Sequence, residues 1–248
     1  MTDFSSAPAT LDPLAARRGG SLSIARMTES GKLTPTQLED RAIIHRSGLA
    51  RPEVDAFRDM RTRLLGMFNG DNFIVLVAPV SRGSGGSFVA RNLAAAMALD
   101  EAKSALLIDC DLRQPSQHET MRIDPTEGGL IDLLEDPEHP VADVLYQTGV
   151  PRLRLIPAGS SREMASEYFT SFRMALLLDS LRSRYPDRYL FLDGPPACGS
   201  PDARILAGLA DVTVLVAGYG HDTPAAIAQA AASFDPNKFA GVVFNEGI

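Results

Sequence analysis

The sequence has little that would tie it to nucleic acid, a bilayer or an oxidising compartment. Its 248 residues include two cysteines, Cys110 and Cys198, too few for a disulfide framework and in no metal-binding spacing. That usage fits a reducing compartment, and each thiol reads as a small apolar residue beside a strand end. No block of Lys or Arg stands out, the net charge is −7 and the pI is about 5.1, which argues against a nucleic-acid partner. No apolar run approaches the ~20 residues that span a bilayer. The opening stretch, MTDFSSAPATLDPLAARRGG, has no apolar centre, so no secretory signal is expected. A cytoplasmic protein is predicted, reaching the inner face of a membrane only through a partner. His45, His118, His139 and His221 are scattered with no nucleophile beside them, and no catalytic role is assigned to them.

What is present is ordinary globular composition, 45% apolar and 22% charged. Residues 1–31 are rich in Ser, Ala, Thr, Pro and Gly, and a disordered tail is expected there. Residues 32–70 read as an N-terminal helical segment. LTPTQLEDRAI begins with Thr-Pro, as short helices do, and RPEVDAFRDMRTRLLGMF sets Phe57, Met60, Leu64 and Phe68 at steps of three and four. Residues 71–248 alternate short, branched, apolar runs with helical segments. The runs are Phe73–Ala78, Ser104–Asp109, Leu153–Pro157, Tyr189–Asp193, Val212–Ala217 and Ala240–Phe244. Runs of this kind suit strands buried on both faces. The predicted fold is α/β: a doubly wound, mainly parallel sheet of the P-loop NTPase-like kind.

Ligands in such sheets sit beyond the carboxyl ends of the strands, and three predicted strand ends carry suggestive residues. The first opens PVSRGSGGSFVARNLA, Pro79 to Ala94. Gly83, Gly85 and Gly86 let backbone amides approach an anion, and a helix starting near Ser87 aims its positive end at it. A P-loop, G-x-x-x-x-G-K-[ST], needs a lysine for the β- and γ-phosphates and a hydroxyl for magnesium. Ser87 supplies the hydroxyl, but Gly86 stands in the lysine's place and Val80 in that of the first glycine. Without more, this is a glycine-rich strand-to-helix turn. The second end is LLIDCDLRQP, where Asp109 and Asp111 suit a magnesium–water shell or a general base and Arg113 follows. Singly, either acid could cap a loop. The third is YLFLDGPPA, with Asp193 in the form of an acid that meets magnesium through water. In this order, the three together point to descent from a nucleotide-binding fold.

These motifs resemble bacterial tyrosine kinases of the polysaccharide co-polymerase system, a class related to the septum-site and partitioning ATPases. The resemblance runs from about Leu33 to Asn245. LLIDCDLRQP fits that family's LLIDxDLRxP throughout, Asp193-Gly194-Pro195-Pro196 is close to its D-[ST]-P-P, and RNLA stands where it reads ANLA. EGGLIDLLED and LRLIPAGS resemble its GLSDLL and L-x-x-L-P-A-G segments. GKLTPTQLEDRAI is similar to a segment of the exosortase-associated branch. Asp55, Arg58 and Arg61 match an E-x-x-R-x-x-R motif that joins subunits in a ring, with the acid shortened, so a homo-oligomer through these residues is implied.

The resemblance also implies ATP or ADP with magnesium. Gly83, Gly85, Gly86, Ser87 and Arg113 would meet the nucleotide, and Ser87, Asp109 and Asp193 the metal. Two departures argue against it. The catalytic lysine is absent, and no tyrosine follows Tyr219, where the family carries an autophosphorylated cluster. A missing preorganised charge of this kind costs a hundred-fold or more in rate. The expectation is a degenerate, kinase-like regulatory subunit of exopolysaccharide synthesis and export (of capsule or holdfast-adhesin type), docked on a membrane co-polymerase. The alternative is an active kinase or ATPase that uses Arg82 for the lysine, with Asp109 and Asp111 catalytic. Arg91, one turn along the helix, is expected to face sideways. A partitioning-type switch is the weakest reading, because Ser81 and Arg82 stand where its signature lysine would be.

Overall fold

The fold was analysed in a computed structural model that describes Met27 and residues 31–45, 52–68 and 71–246. The expectation for residues 1–31 lies almost wholly outside the described residues. The described helices are α1 (Pro35–Glu39), α2 (Pro52–Met67), α3 (Gly86–Ala98), α4 (Gln117–Met121), α5 (Leu130–Glu135), α6 (Ala165–Phe169), α7 (Phe172–Arg184), α8 (Asp202–Leu209) and α9 (Pro224–Ala232). The strands are β1 (Ile74–Pro79), β2 (Ser104–Asp109), β3 (Tyr146–Gln147), β4 (Leu153–Ile156), β5 (Arg188–Asp193), β6 (Val212–Gly218) and β7 (Phe239–Asn245). They form one sheet in the order β3-β4-β2-β5-β1-β6-β7. Every pairing is parallel except β3 with β4.

The apolar runs become the strands with shifts of a residue or two, because continuous branched residues can be buried on both faces. β1, β2, β4, β5 and β6 are buried at every position. Alternate residues serve opposite sides. Leu76 and Ala78 of β1 join Met174, Leu178 and Leu206 from α7 and α8, while Val75 and Val77 join Leu93 and Met97 of α3. β3 was not predicted, since a two-residue antiparallel edge leaves no periodic signal.

The predicted stripe of α2 docks on the α3 side. Val54, Phe57 and Leu64 are buried, and Met60 and Phe68 half-buried. Phe57 meets Phe88 edge to face at 5.8 Å. The segment before α2 is pinned by Asn92 of α3, which accepts from the Ile44 amide at 2.7 Å and donates to the Ala42 carbonyl at 2.9 Å. No helix of the described residues is long and apolar enough to cross a membrane.

Candidate functional site

β1 lies inside the sheet between β5 and β6, and its end delivers the chain into the glycine-rich loop. Gly83 and Gly85 hold φ of 90° and 88°, the left-handed region that favours glycine. Gly85 caps α3 with no side-chain hydrogen bond, so the helix presents bare amides at its start.

Gly86 is enclosed. A Cβ built there would lie 2.6 Å from Cδ and 2.9 Å from Cγ of Pro79. The absent lysine is therefore matched by a proline ring filling the space its first carbon would need. At Gly85 the Asn245 amide crowds the Cβ position from β7, and its Nδ2 donates to the Ser84 carbonyl at 3.2 Å.

The outer loop is held by the turn after β6. Asp222 accepts from the Ser81 hydroxyl, from Ser84 Oγ at 2.6 Å and from the Gly218 amide at 2.8 Å. Burial alone would raise the Asp222 pKa, but these hydrogen bonds outweigh it and hold the carboxyl below its usual range. His221 Nε2 sits 2.8 Å from the Arg82 carbonyl. Arg82 itself reaches across to the loop after β2, bonding the Gln114 side chain and lying 3.9 Å from Asp111 Oδ2.

Strand register sets Asp109 of β2 directly beside Asp193 of β5, and both are fully buried. Asp109 is consumed by its own chain: Oδ1 accepts from the Asp111 amide at 3.2 Å, and Oδ2 from the Ser116 and Gln117 amides at 3.0 Å each. Burial, then the charge of Asp193, push its pKa well up. Asp111 is half-buried, and burial raises its pKa too. Asp193 has Oδ2 bonded by Gln117 Nε2 at 2.6 Å, while Oδ1 is buried without a partner among the described residues. Burial raises Asp193 to about 6 against the opposing pull of Gln117, Ser87 and Arg91.

Arg91 corrects the expectation that it faces sideways. It is 4% exposed, and its Nη1 donates to Gln117 Oε1 at 3.1 Å. Gln117 also bonds the Ser87 carbonyl at 2.9 Å. Burial lowers the Arg91 pKa and the Asp193 charge partly restores it, so the two charges act on each other inside the site. Arg113 is turned to one side, paired at 3.2 Å with the fully buried Asp202 at the start of α8. The predicted subunit-contact residues separate as well. Asp55 and Arg58 are exposed and pair at 3.5 Å, whereas Arg61 Nη1 donates to the Ala96 carbonyl of α3 at 3.1 Å.

A magnesium nucleotide needs amides at a helix start, a lysine, and oxygen donors open to the metal shell. The amides are present. The lysine is absent and its space is closed by Pro79. Of the donors, Asp109 already accepts three backbone amides, and Asp193, though its Oδ1 has no partner among the described residues, shares the interior with a buried guanidinium. The residues present do not fit a magnesium nucleotide held in the usual P-loop way.

The structure thus brings together Gly83, Gly85, Gly86, Ser87, Asp109 and Asp193, with Arg82 and Asp111 at the rim, and sets Arg113 aside. Sequence reasoning missed Pro79, Gln117 and Asp222. Gln117 has no motif spacing, and Asp222 is far along the chain; only RNLA for ANLA flagged Arg91.

Comparison with known proteins agrees with this architecture. No protein-family model matches the chain. Tyrosine-protein kinase wzc of Salmonella typhimurium is 32% identical over 195 residues, covering 77% of this chain and 26% of that protein. The chain therefore spans 26% of the length of that curated relative. The solved BceF tyrosine kinase domain is 27% identical, with a TM-score of 0.68, covering 94% of this chain and 97% of the other. The septum site-determining protein MinD of Pyrococcus horikoshii, solved with Mg-ADP, shares the fold at 18% identity, with a TM-score of 0.53 over 70% of each chain. By sequence and by fold, the chain belongs to the bacterial tyrosine-kinase family.

Proposed function

We propose that this chain is a non-catalytic, kinase-like regulatory subunit of exopolysaccharide synthesis and export, working at the inner face of the membrane on a polysaccharide co-polymerase. The observation that carries the reading is the Pro79–Gly86 contact. The loop lacks the lysine and has no room for one where the backbone now runs. Phosphoryl transfer depends on positioning and charge more than on covalent help from the protein, so losing that charge removes the reaction before it removes the fold. The polysaccharide setting is supported by the motif resemblance, and the exposed Asp55 and Arg58 leave a surface for self-association or partner contact.

The test is capture of the co-polymerase from membranes with the native chain and with Ser87→Ala/Asp193→Asn. Equal capture supports a scaffold role. No capture by the native chain counts against it.

A second reading rests on Arg82, which reaches the acidic rim beside Asp111. In that reading Arg82 folds over a phosphate and supplies the missing charge. It requires ATP turnover that disappears in Arg82→Ala.

A further inference from the structure

Two buried carboxylates side by side are expensive to keep charged, and P-loop sites commonly balance them with a cation. Here a cation is already built in. Arg91 projects from the second turn of α3 into the interior, where Gln117 bridges it to Asp193: the guanidinium donates to Gln117 Oε1 and Gln117 Nε2 donates to Asp193 Oδ2. Ser87, the residue expected to bind magnesium, is drawn into the same network, its carbonyl taken by Gln117. The family pattern ANLA has alanine at this position, which carries no charge.

We propose that Arg91, through Gln117, is an internal counter-ion for Asp193 of this pair, standing in for the charge of a magnesium ion so that the domain holds its nucleotide-type fold without metal. This rests on the non-catalytic reading above and gives it a physical basis: the charge lost from the loop at Gly86 is offset by one gained five residues later inside the helix. Only a residue with a planar, always-charged head suits the position, because burial would readily neutralise a lysine.

The experiment is thermal melting of the full chain with and without magnesium chloride, together with the electron paramagnetic resonance signal of added Mn²⁺. The native chain is expected to melt within about 1 °C of the same temperature with or without ~10 mM magnesium, and to leave the Mn²⁺ signal free. Arg91→Met keeps the side-chain length and removes the charge. It should melt about 5–10 °C lower without metal and regain several degrees with magnesium, because Asp193, whose Oδ1 has no partner among the described residues, then binds it. Native melting that rises with magnesium, or native Mn²⁺ binding that Asp193→Asn removes, would overturn the proposal without any use of the variant. A metal-insensitive Arg91→Met would also overturn it. Phosphoryl transfer by the native chain is a separate readout: it sinks the non-catalytic reading, while metal-dependent melting sinks the counter-ion.

Discussion

The ring of Pro79 occupies the space that the first side-chain carbon of residue 86 would need, at 2.6 Å from Cδ. The two positions are therefore coupled, and substitution at one depends on the other. Gly86→Ala should cost about 1–3 kcal/mol through overpacking. Pro79→Ala should relieve most of that penalty, so a urea-denaturation double-mutant cycle should give a coupling energy of about 1 kcal/mol or more. Additive effects would mean that the ring moves aside freely. The same contact predicts that Gly86→Lys alone lowers stability without restoring a working loop.

Asp222 ties the loop to the turn after β6 through two hydroxyls and one amide. Asp222→Ala removes an ionised acceptor and should cost about 1.5–3 kcal/mol. Its signature should be local: faster hydrogen exchange at the amides of Ser84 and Gly218, with the β2 and β5 amides unchanged. Uniformly faster exchange would indicate global destabilisation instead.

Stability should rise on mild acidification. Asp193 binds a proton in the folded state with a pKa of about 6, whereas the unfolded carboxyl does so near 3.8. Between pH 7.5 and 5.5 the native state takes up more protons than the unfolded state, so acidification favours folding. That contribution is about 1 kcal/mol, and Asp109, shifted in the same direction, adds to it. Asp193→Asn should flatten the profile in this window. Below about pH 4 the trend should reverse as carboxylates held low in the fold, such as Asp222, become protonated.

Arg58 and Arg61 should behave differently. Arg58 is exposed and paired with exposed Asp55, so Arg58→Ala should change stability by less than about 0.5 kcal/mol. Arg61 satisfies the Ala96 carbonyl near the end of α3, so Arg61→Ala should cost about 1–2 kcal/mol. If a ring forms, sedimentation of Arg58→Ala shows it without interference from unfolding.

Much of this molecule was legible in its sequence because the signals were local. Branched apolar runs marked β1, β2, β4, β5, β6 and β7, and the glycines marked the turn where positive φ is required. The acids at the strand ends were found because each follows an apolar run directly, although their register opposite each other was not readable. The networks were hidden for the opposite reason. Gln117 reaches Asp193 across 76 residues, Asp222 reaches Ser84 across 138, and Pro79 meets Gly86 around a loop whose path is set by tertiary packing. Arg91 was visible as a departure from a pattern, but its burial depends on α4, which no spacing rule placed over it.

The central claim is that this P-loop-like site has kept its form and lost its nucleotide. Titration of a fluorescent ATP analogue with magnesium into the native chain tests it most directly. The account predicts no saturable binding up to millimolar nucleotide and no difference between the native chain and Asp193→Asn. Saturable binding at micromolar nucleotide that Asp193→Asn abolishes would contradict it.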